Sequence, residues 1–214
     1  MIDVQVAKAL LKIEAVGFKI QQPITFKSGI LSPVYVDNRR LPFFPSEWHI
    51  VINAFATLIE TLPLPIDVIA GVAVGGIPHS AALAYHLNLP SVFVRKEAKE
   101  HGKQQLVEGG DVSGKNVLLI EDMVTTGGSS LSAVTALRAQ GATVDHLMAI
   151  VSYGFAEATQ NYAQANVQFH TLTNFSTIMQ VVEQEDSLSS KELSIVQSWL
   201  QNPYGWTTPK ETVE

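Results

Sequence analysis

The chain has 214 residues, enough for one α/β domain with a substantial core and too few for two full domains. Apolar residues make up 46% of it and charged ones 16%, which excludes long-range disorder. The 14 Lys and Arg against 20 Asp and Glu give −6 at pH 7, so neither nucleic acid nor a membrane surface is an expected partner. The absence of Cys excludes disulfides, thiolate metal sites and cysteine nucleophiles, and fits a cytoplasmic location.

The N-terminal stretch carries Asp3, Lys8, Lys12 and Glu14, so it reads as neither a signal peptide nor a membrane span. Val6, Leu10 and Ile13 recur at three- and four-residue steps, which predicts a helix that stops near Gly17. Residues 20–45 are punctuated by Pro and Gly and contain two strand-like pieces, 24–27 and 34–37, on either side of Ser28-Gly29. Ser46 is a candidate cap for a second helix whose apolar stripe is Val51, Phe55, Leu58 and Leu62.

From Asp67 onward the pattern changes. Four apolar strands of the buried type are predicted at 68–73, 91–94, 116–120 and 143–151, with helices at 77–87 and 129–140 and a cap at Gly141. Strands buried on both faces and alternating with helices imply a parallel sheet with right-handed crossovers. Residues 96–115 read as a long polar loop, and loops of that length without structure of their own are often functional. Residues 202–214 form the only linker-like piece.

The most informative segment follows the third strand: Glu121-Asp122-Met123-Val124-Thr125-Thr126-Gly127-Gly128-Ser129. In an open parallel sheet, ligands bind beyond the carboxyl ends of the strands. Backbone amides from Thr125 to Ser129, freed by glycine and backed by a helix N-terminus, suit a phosphate. The two carboxylates repel a phosphate but accept hydrogen bonds from sugar hydroxyls, so together they ask for a ribose 5-phosphate. Two solvated acids before an ordinary turn is the plain alternative, and the Thr-Thr-Gly-Gly-Ser-Ser run tells against it. The segment is neither a Walker motif nor a dinucleotide fingerprint, since no Lys follows the Gly pair and GxGxxG is absent.

Two further clusters complement it. Arg95, Lys96, Lys99 and His101 place up to four cationic donors at the start of the long loop, which alone read as a solvated basic loop and in an otherwise acidic chain also suit an anionic leaving group. Gly75 and Gly76, after Ala73-Val74, read equally as a tight βα turn or as a place where backbone amides approach an anion closely, with Pro78 suited to the first helical turn. The six His show no metal-ligand spacing.

The acidic segment strongly resembles the phosphoribosyl-pyrophosphate signature of the type I phosphoribosyltransferases. Phe26-Lys27-Ser28-Gly29 with Ser32-Pro33-Val34-Tyr35, Gly75-Gly76-Ile77-Pro78, and Arg95-Lys96 through His101-Gly102 resemble the orotate-specific members, in order, over roughly residues 18–153. The resemblance implies a single α/β domain: a five-stranded parallel sheet flanked by helices (core about 46–175) under a small N-terminal hood. That hood would span about 1–45, with the C-terminal segment as a second candidate contributor.

The implied reaction joins orotate to phosphoribosyl pyrophosphate, giving orotidine 5′-monophosphate and pyrophosphate, a step of pyrimidine biosynthesis. Lys99, His101 and Asp122 would be catalytic. Arg95, Lys96, Val74, Gly75 and residues 121–129 would bind phosphoribosyl pyrophosphate together with Lys99 and His101. Lys27, Tyr35, Arg39 and Thr125 would hold orotate. Mg²⁺ would be held mainly by substrate oxygens and water, with no protein metal ligand. Residues 96–115 would reach the neighbouring active site of a homodimer, and the step that follows is expected on another chain.

Two departures from the family stand out. The lysine many members carry in the loop at 73–76 is missing. So is an arginine after the strand at 143–151, where this chain reads Ser152-Tyr153-Gly154. Arg39 is the expected replacement, because its planar fork suits the orotate carboxylate. The alternatives are a phosphoribosyltransferase for another base, such as a purine, and a non-catalytic regulator that binds phosphoribosyl pyrophosphate.

Overall fold

In a computed structural model, residues 1–26, 28–63, 65–97 and 106–208 are described. The first helix, α1 (Ile2–Lys12), buries Val6, Ala7, Ala9 and Leu10 on one face. Four short strands follow. β1 (Val16–Phe18) pairs antiparallel with β4 (Val34–Val36), and β2 (Ile24–Thr25) pairs with β3 (Leu31–Ser32). Strands of two or three residues leave no readable periodicity, so the expectation of two strands at 24–27 and 34–37 becomes four shorter ones.

A 3₁₀ turn (Asn38–Phe43) leads into α2 (Pro45–Ile59). That helix begins at Pro45 with no side-chain cap, so Ser46 lies inside it rather than before it. Proline lacks the N–H that the first turn would leave unpaired, and its fixed φ starts the helix a residue early.

The core alternates strand and helix: β5 (Val68–Val72), α3 (Gly76–Leu87), β6 (Ser91–Val94), β7 (Val107–Glu108), β8 (Asn116–Val124), α4 (Gly128–Ala139), β9 (Thr143–Ser152), α5 (Ala156–Gln164) and β10 (Gln168–Asn174). Two more helices, α6 (Phe175–Gln184) and α7 (Ser190–Gln201), complete the described chain. The sheet order is β10-β9-β8-β5-β6-β7. Five of these strands run parallel, and β7 pairs antiparallel with β6 at one edge. The sheet is therefore six-stranded and mixed, with the expected five parallel strands at its heart.

Along β8 and β9 the side chains alternate. Leu118, Ile120, Met148 and Ile150 face a core shared with Leu10, Phe55, Leu83, Ile178 and Trp199. Leu119, Leu147 and Ala149 face Val134, Leu137 and Tyr162 on the other side. Helix α1 packs on α6, β10 and α2, so it belongs to the core layer and not to the hood.

The segment 96–115 is not a bare loop, because β7 falls within it. Arg95 N donates to the Leu106 carbonyl at 2.8 Å, and the Arg95 guanidinium meets Glu108 at 3.0 Å. The strand expected to stop at 120 runs on to Val124, since Glu121, Met123 and Val124 keep pairing with Ala149, Val151 and Ser152 of β9. The acidic pair therefore rides on the last residues of a strand, where the ladder fixes the backbone on one side.

Candidate functional site

At the carboxyl ends of β5 and β8 lies a cavity of about 640 Å³, lined by the hood, by the β5–α3 turn and by residues 121–130. Its floor is the acidic pair. Glu121 is 6% exposed and its Oε1 accepts from the Asp122 amide at 3.1 Å. Burial, and then the neighbouring Asp122, push the Glu121 carboxyl well above the usual carboxylate range.

The β5–α3 turn fits around Asp122. A Cβ on Gly75 would lie 2.3 Å from the Asp122 carboxyl carbon, and one on Gly76 would lie 2.5 Å from the Ile120 carbonyl oxygen. Only glycine allows this approach of the turn to the strand end. Val74 projects beside it, exposed.

On the other side of the acids, Thr125–Ser129 turn into α4. Gly127 has φ +86°, and a Cβ there would touch the Tyr162 ring at 3.0 Å. The first amides of α4 have no partner within the helix and are open to an anion. The turn is braced from behind by α5. Asn161 Nδ2 donates to the Thr126 carbonyl at 3.1 Å, and the Tyr162 hydroxyl meets Ser130 Oγ at 2.6 Å. Ser130 Oγ in turn donates to the Gly127 carbonyl at 3.0 Å.

The hood closes the cavity with Ile24, Phe26, Tyr35 and Arg39. Arg39 Nε sits 2.5 Å from Asp37 Oδ1, and the Tyr35 hydroxyl donates to Asp37 Oδ2 at 3.0 Å. The Arg39 guanidinium holds the Asp37 carboxyl below its usual range. Arg39, expected to receive the base's carboxylate, thus already has a carboxylate on its Nε, and only its Nη groups are left for a second one.

Tyr153, standing near the missing family arginine, is buried against Phe26 at 5.3 Å, Phe155 at 5.6 Å and Trp199 at 5.4 Å. That position is aromatic core and does not line the cavity.

Of the expected site residues, Val74, Gly75, Lys96, residues 121–129, Tyr35 and Arg39 all line this one cavity. Arg95 does not, because the β6–β7 pairing turns its guanidinium onto Glu108. Lys27, Lys99 and His101 lie outside the described residues. Sequence reasoning missed Asn38, whose Nδ2 donates to the Asp122 carbonyl at 2.7 Å, and the Asn161–Tyr162 brace. Nothing local in the sequence marks them, since each acts across the fold.

Burial also gives the protein an acid sensitivity. His79 on α3 is fully buried, and desolvation pushes its pKa down to about 4 from 6.5, against the pull of Asp122 and the Asn38 carbonyl. The His170 ring is lowered as well, by burial and by His146, whose Nδ1 lies 3.2 Å from its Nε2. Both rings take up protons more readily when unfolded. Stability is therefore full above the ordinary imidazole pKa and is lost as pH falls from 6.5 toward about 4. The slope approaches ~1.4 kcal/mol per pH unit for the buried His79 and is smaller for half-exposed His170. The urea midpoint should drop across that window, and His79→Gln should flatten the profile. A wild-type midpoint level across the window would contradict this account.

The family described as "Phosphoribosyl transferase domain" matches residues 45–187. Orotate phosphoribosyltransferase of Coxiella burnetii is 41% identical over 202 residues, covering 94% of this chain and 97% of that protein. The crystal structure of orotate phosphoribosyltransferase from Aeropyrum pernix superposes with a TM-score of 0.73 at 31% identity, covering 86% of this chain and 99% of that one. UMP synthase of Leishmania donovani gives a TM-score of 0.82 at 26% identity over 93% of this chain, which spans 42% of that longer protein. A family match over most of the length, and a relative aligned along nearly all of it, agree with the cavity's chemistry: the chain belongs to the orotate phosphoribosyltransferases of the phosphoribosyl transferase family.

Proposed function

We propose that the protein transfers the ribose 5-phosphate group of phosphoribosyl pyrophosphate to orotate, releasing pyrophosphate, as the names of its relatives imply for them. The observation that carries this reading is one cavity holding both halves of a sugar-phosphate site. The Asp122 carboxylate stands against Gly75 on one side, and the amide-lined turn 125–129 opens α4 on the other.

In this reading Glu121 and Asp122 accept the ribose hydroxyls and the turn at 125–129 takes the 5-phosphate. The β5–α3 turn and Lys96 receive the diphosphate, where negative charge builds as the bond to C1 of ribose breaks. Phe26 and Tyr35 supply flat faces over the base. The base nitrogen then attacks an oxocarbenium-like carbon, and the protein contributes positioning and charge with no covalent nucleophile.

Mg²⁺ fits the donor chemistry. The cavity floor offers carboxylate oxygens, and a hard ion that keeps most of its waters and takes substrate oxygens needs few protein donors. When bound, the ion offsets charge on the diphosphate. A homodimer in which residues 96–115 serve the neighbouring site is part of the same reading, as is a cytoplasmic location. Among the described residues no helix is long and apolar enough to cross a membrane.

The test is a panel of bases offered with phosphoribosyl pyrophosphate and Mg²⁺, with pyrophosphate release as the readout. Release with orotate, and none with adenine, hypoxanthine or uracil, is expected. Release with a purine would assign a different base, and tight binding of phosphoribosyl pyrophosphate without release with any base would identify a regulator.

A further inference from the structure

Behind the acidic pair, three polar side chains have no part in the chemistry above: half-buried Trp48 on α2, His79 on α3, and Asn38 at the start of the 3₁₀ turn. His79 and Asn38 are both fully buried. Trp48 Nε1 donates to His79 Nδ1 at 3.0 Å, with the rings edge to face at 6.1 Å. An indole N–H can only donate, so Nδ1 accepts and a neutral imidazole must carry its proton on Nε2. The Asn38 amide is oriented just as firmly. Its Nδ2 donates to the Asp122 carbonyl at 2.7 Å, which leaves Oδ1 as an acceptor on its other side.

Among the described residues, His79 Nε2 and Asn38 Oδ1 are both buried and make no hydrogen bond of normal geometry, although the Asn38 carbonyl stands near enough to the His79 ring to favour its proton. Buried polar groups are rarely left so, and these two are complementary, one a donor and the other an acceptor. Burial also holds the His79 ring neutral, with its pKa pushed down to about 4.

We propose that Trp48, His79 and Asn38 form a one-way chain of donors that ends on the Asp122 carbonyl, with one buried water between His79 Nε2 and Asn38 Oδ1. Every N–H in the chain points toward the active site, so each bond polarises the next. The chain holds the β8 backbone just after the two carboxylates, on the side that β9 does not reach. It thereby sets where Asp122 stands against Gly75. Trp48, His79 and Asn38 are positioning residues, and they tie the α2–α3 layer to the sugar site. The inference rests on the phosphoribosyl-transfer reading, because that turnover is what the chain would tune.

Two variants and one measurement on the unaltered protein test it. His79→Phe keeps a ring in the core and removes both nitrogens, whereas His79→Gln keeps a donor on the Asn38 side. His79→Phe should lower kcat about 3- to 10-fold, the worth of one net hydrogen bond, with little change in the KM for orotate. His79→Gln should recover most of that loss. Trp48→Phe, which loses the indole N–H, should lower kcat in the same direction and decides the matter if His79→Phe does not fold.

In the substrate-free protein at neutral pH, nitrogen NMR of labelled histidine should show His79 as the Nε2–H tautomer. An Nδ1–H tautomer, an unchanged kcat in folded His79→Phe, or no recovery with Gln would overturn the proposal. The tautomer is read without substrate. A wild-type protein that turns over no base would therefore sink the functional reading while leaving the hydrogen-bond chain separately judged.

Discussion

Asp122→Asn is expected to lower turnover about 10- to 100-fold, since a hydrogen bond to a charged group contributes ~1.5–3 kcal/mol. The amide has the shape of the carboxylate, so the tight fit against Gly75 survives and the fold should keep its melting temperature. What changes is the chemistry presented to the sugar: one acceptor becomes a donor. Part of the loss is offset locally. Burial chiefly, and Asp122 next, raise the Glu121 carboxyl above its usual range, and an amide neighbour removes the second of these causes. Glu121→Gln in the Asp122→Asn background should then cost more than in the wild type. Steady-state kinetics with both substrates, set beside thermal melts, make the measurement. Near-normal kinetics for Asp122→Asn would end the assignment of the sugar hydroxyls to this residue.

The largest stability effect is expected at the far end of the chain. Trp199 on α7 is fully buried, with Phe26 at 6.2 Å, Phe155 at 5.8 Å and Phe175 at 6.2 Å around it. Its Nε1 donates to the Leu31 carbonyl at 2.8 Å, so α7 is pinned to the hood. Trp199→Ala removes the ring and leaves that carbonyl without its donor, and large-to-small changes of this kind cost ~3–5 kcal/mol. Trp199→Phe fills most of the space and should cost clearly less. Because Phe26 is packed between Trp199 and the cavity, the alanine variant should also lose affinity for the base. Urea denaturation of the two variants gives the comparison. A cost below ~1 kcal/mol for the alanine variant, at the level of a surface change, would show that α7 does not anchor the hood.

Most of the site was legible because its parts are local. The apolar run into Glu121-Asp122, the Thr-Gly turn and the Gly75-Gly76 pair each carry their reason in a few consecutive residues. The core strands β5, β6, β8 and β9 were equally plain, being continuously apolar. β10 was not, because Gln168, His170, Thr171, Thr173 and Asn174 interrupt its apolar run on both faces. The last helix was missed although Ser189 and Glu192 form a capping box, a spacing readable without coordinates. Asn38, Asn161 and Tyr162 could not be found that way. Each serves the site by a hydrogen bond to a residue 32 or more positions away, and only the fold brings the partners together.

The strand pair β6–β7 has a consequence for how freely this protein can vary. The chain departs after Arg95 and returns at Leu106, and the two stems are joined by the Arg95–Leu106 hydrogen bond and the Arg95–Glu108 ion pair. The ends of the intervening segment are thus fixed beside each other whatever lies between them. Closing a chain between fixed ends grows costlier only with the logarithm of its length, about 0.6 kcal/mol for each doubling. Insertions and deletions between the stems should therefore leave folding almost untouched, so that selection can lengthen, shorten or recharge the segment for the needs of turnover alone.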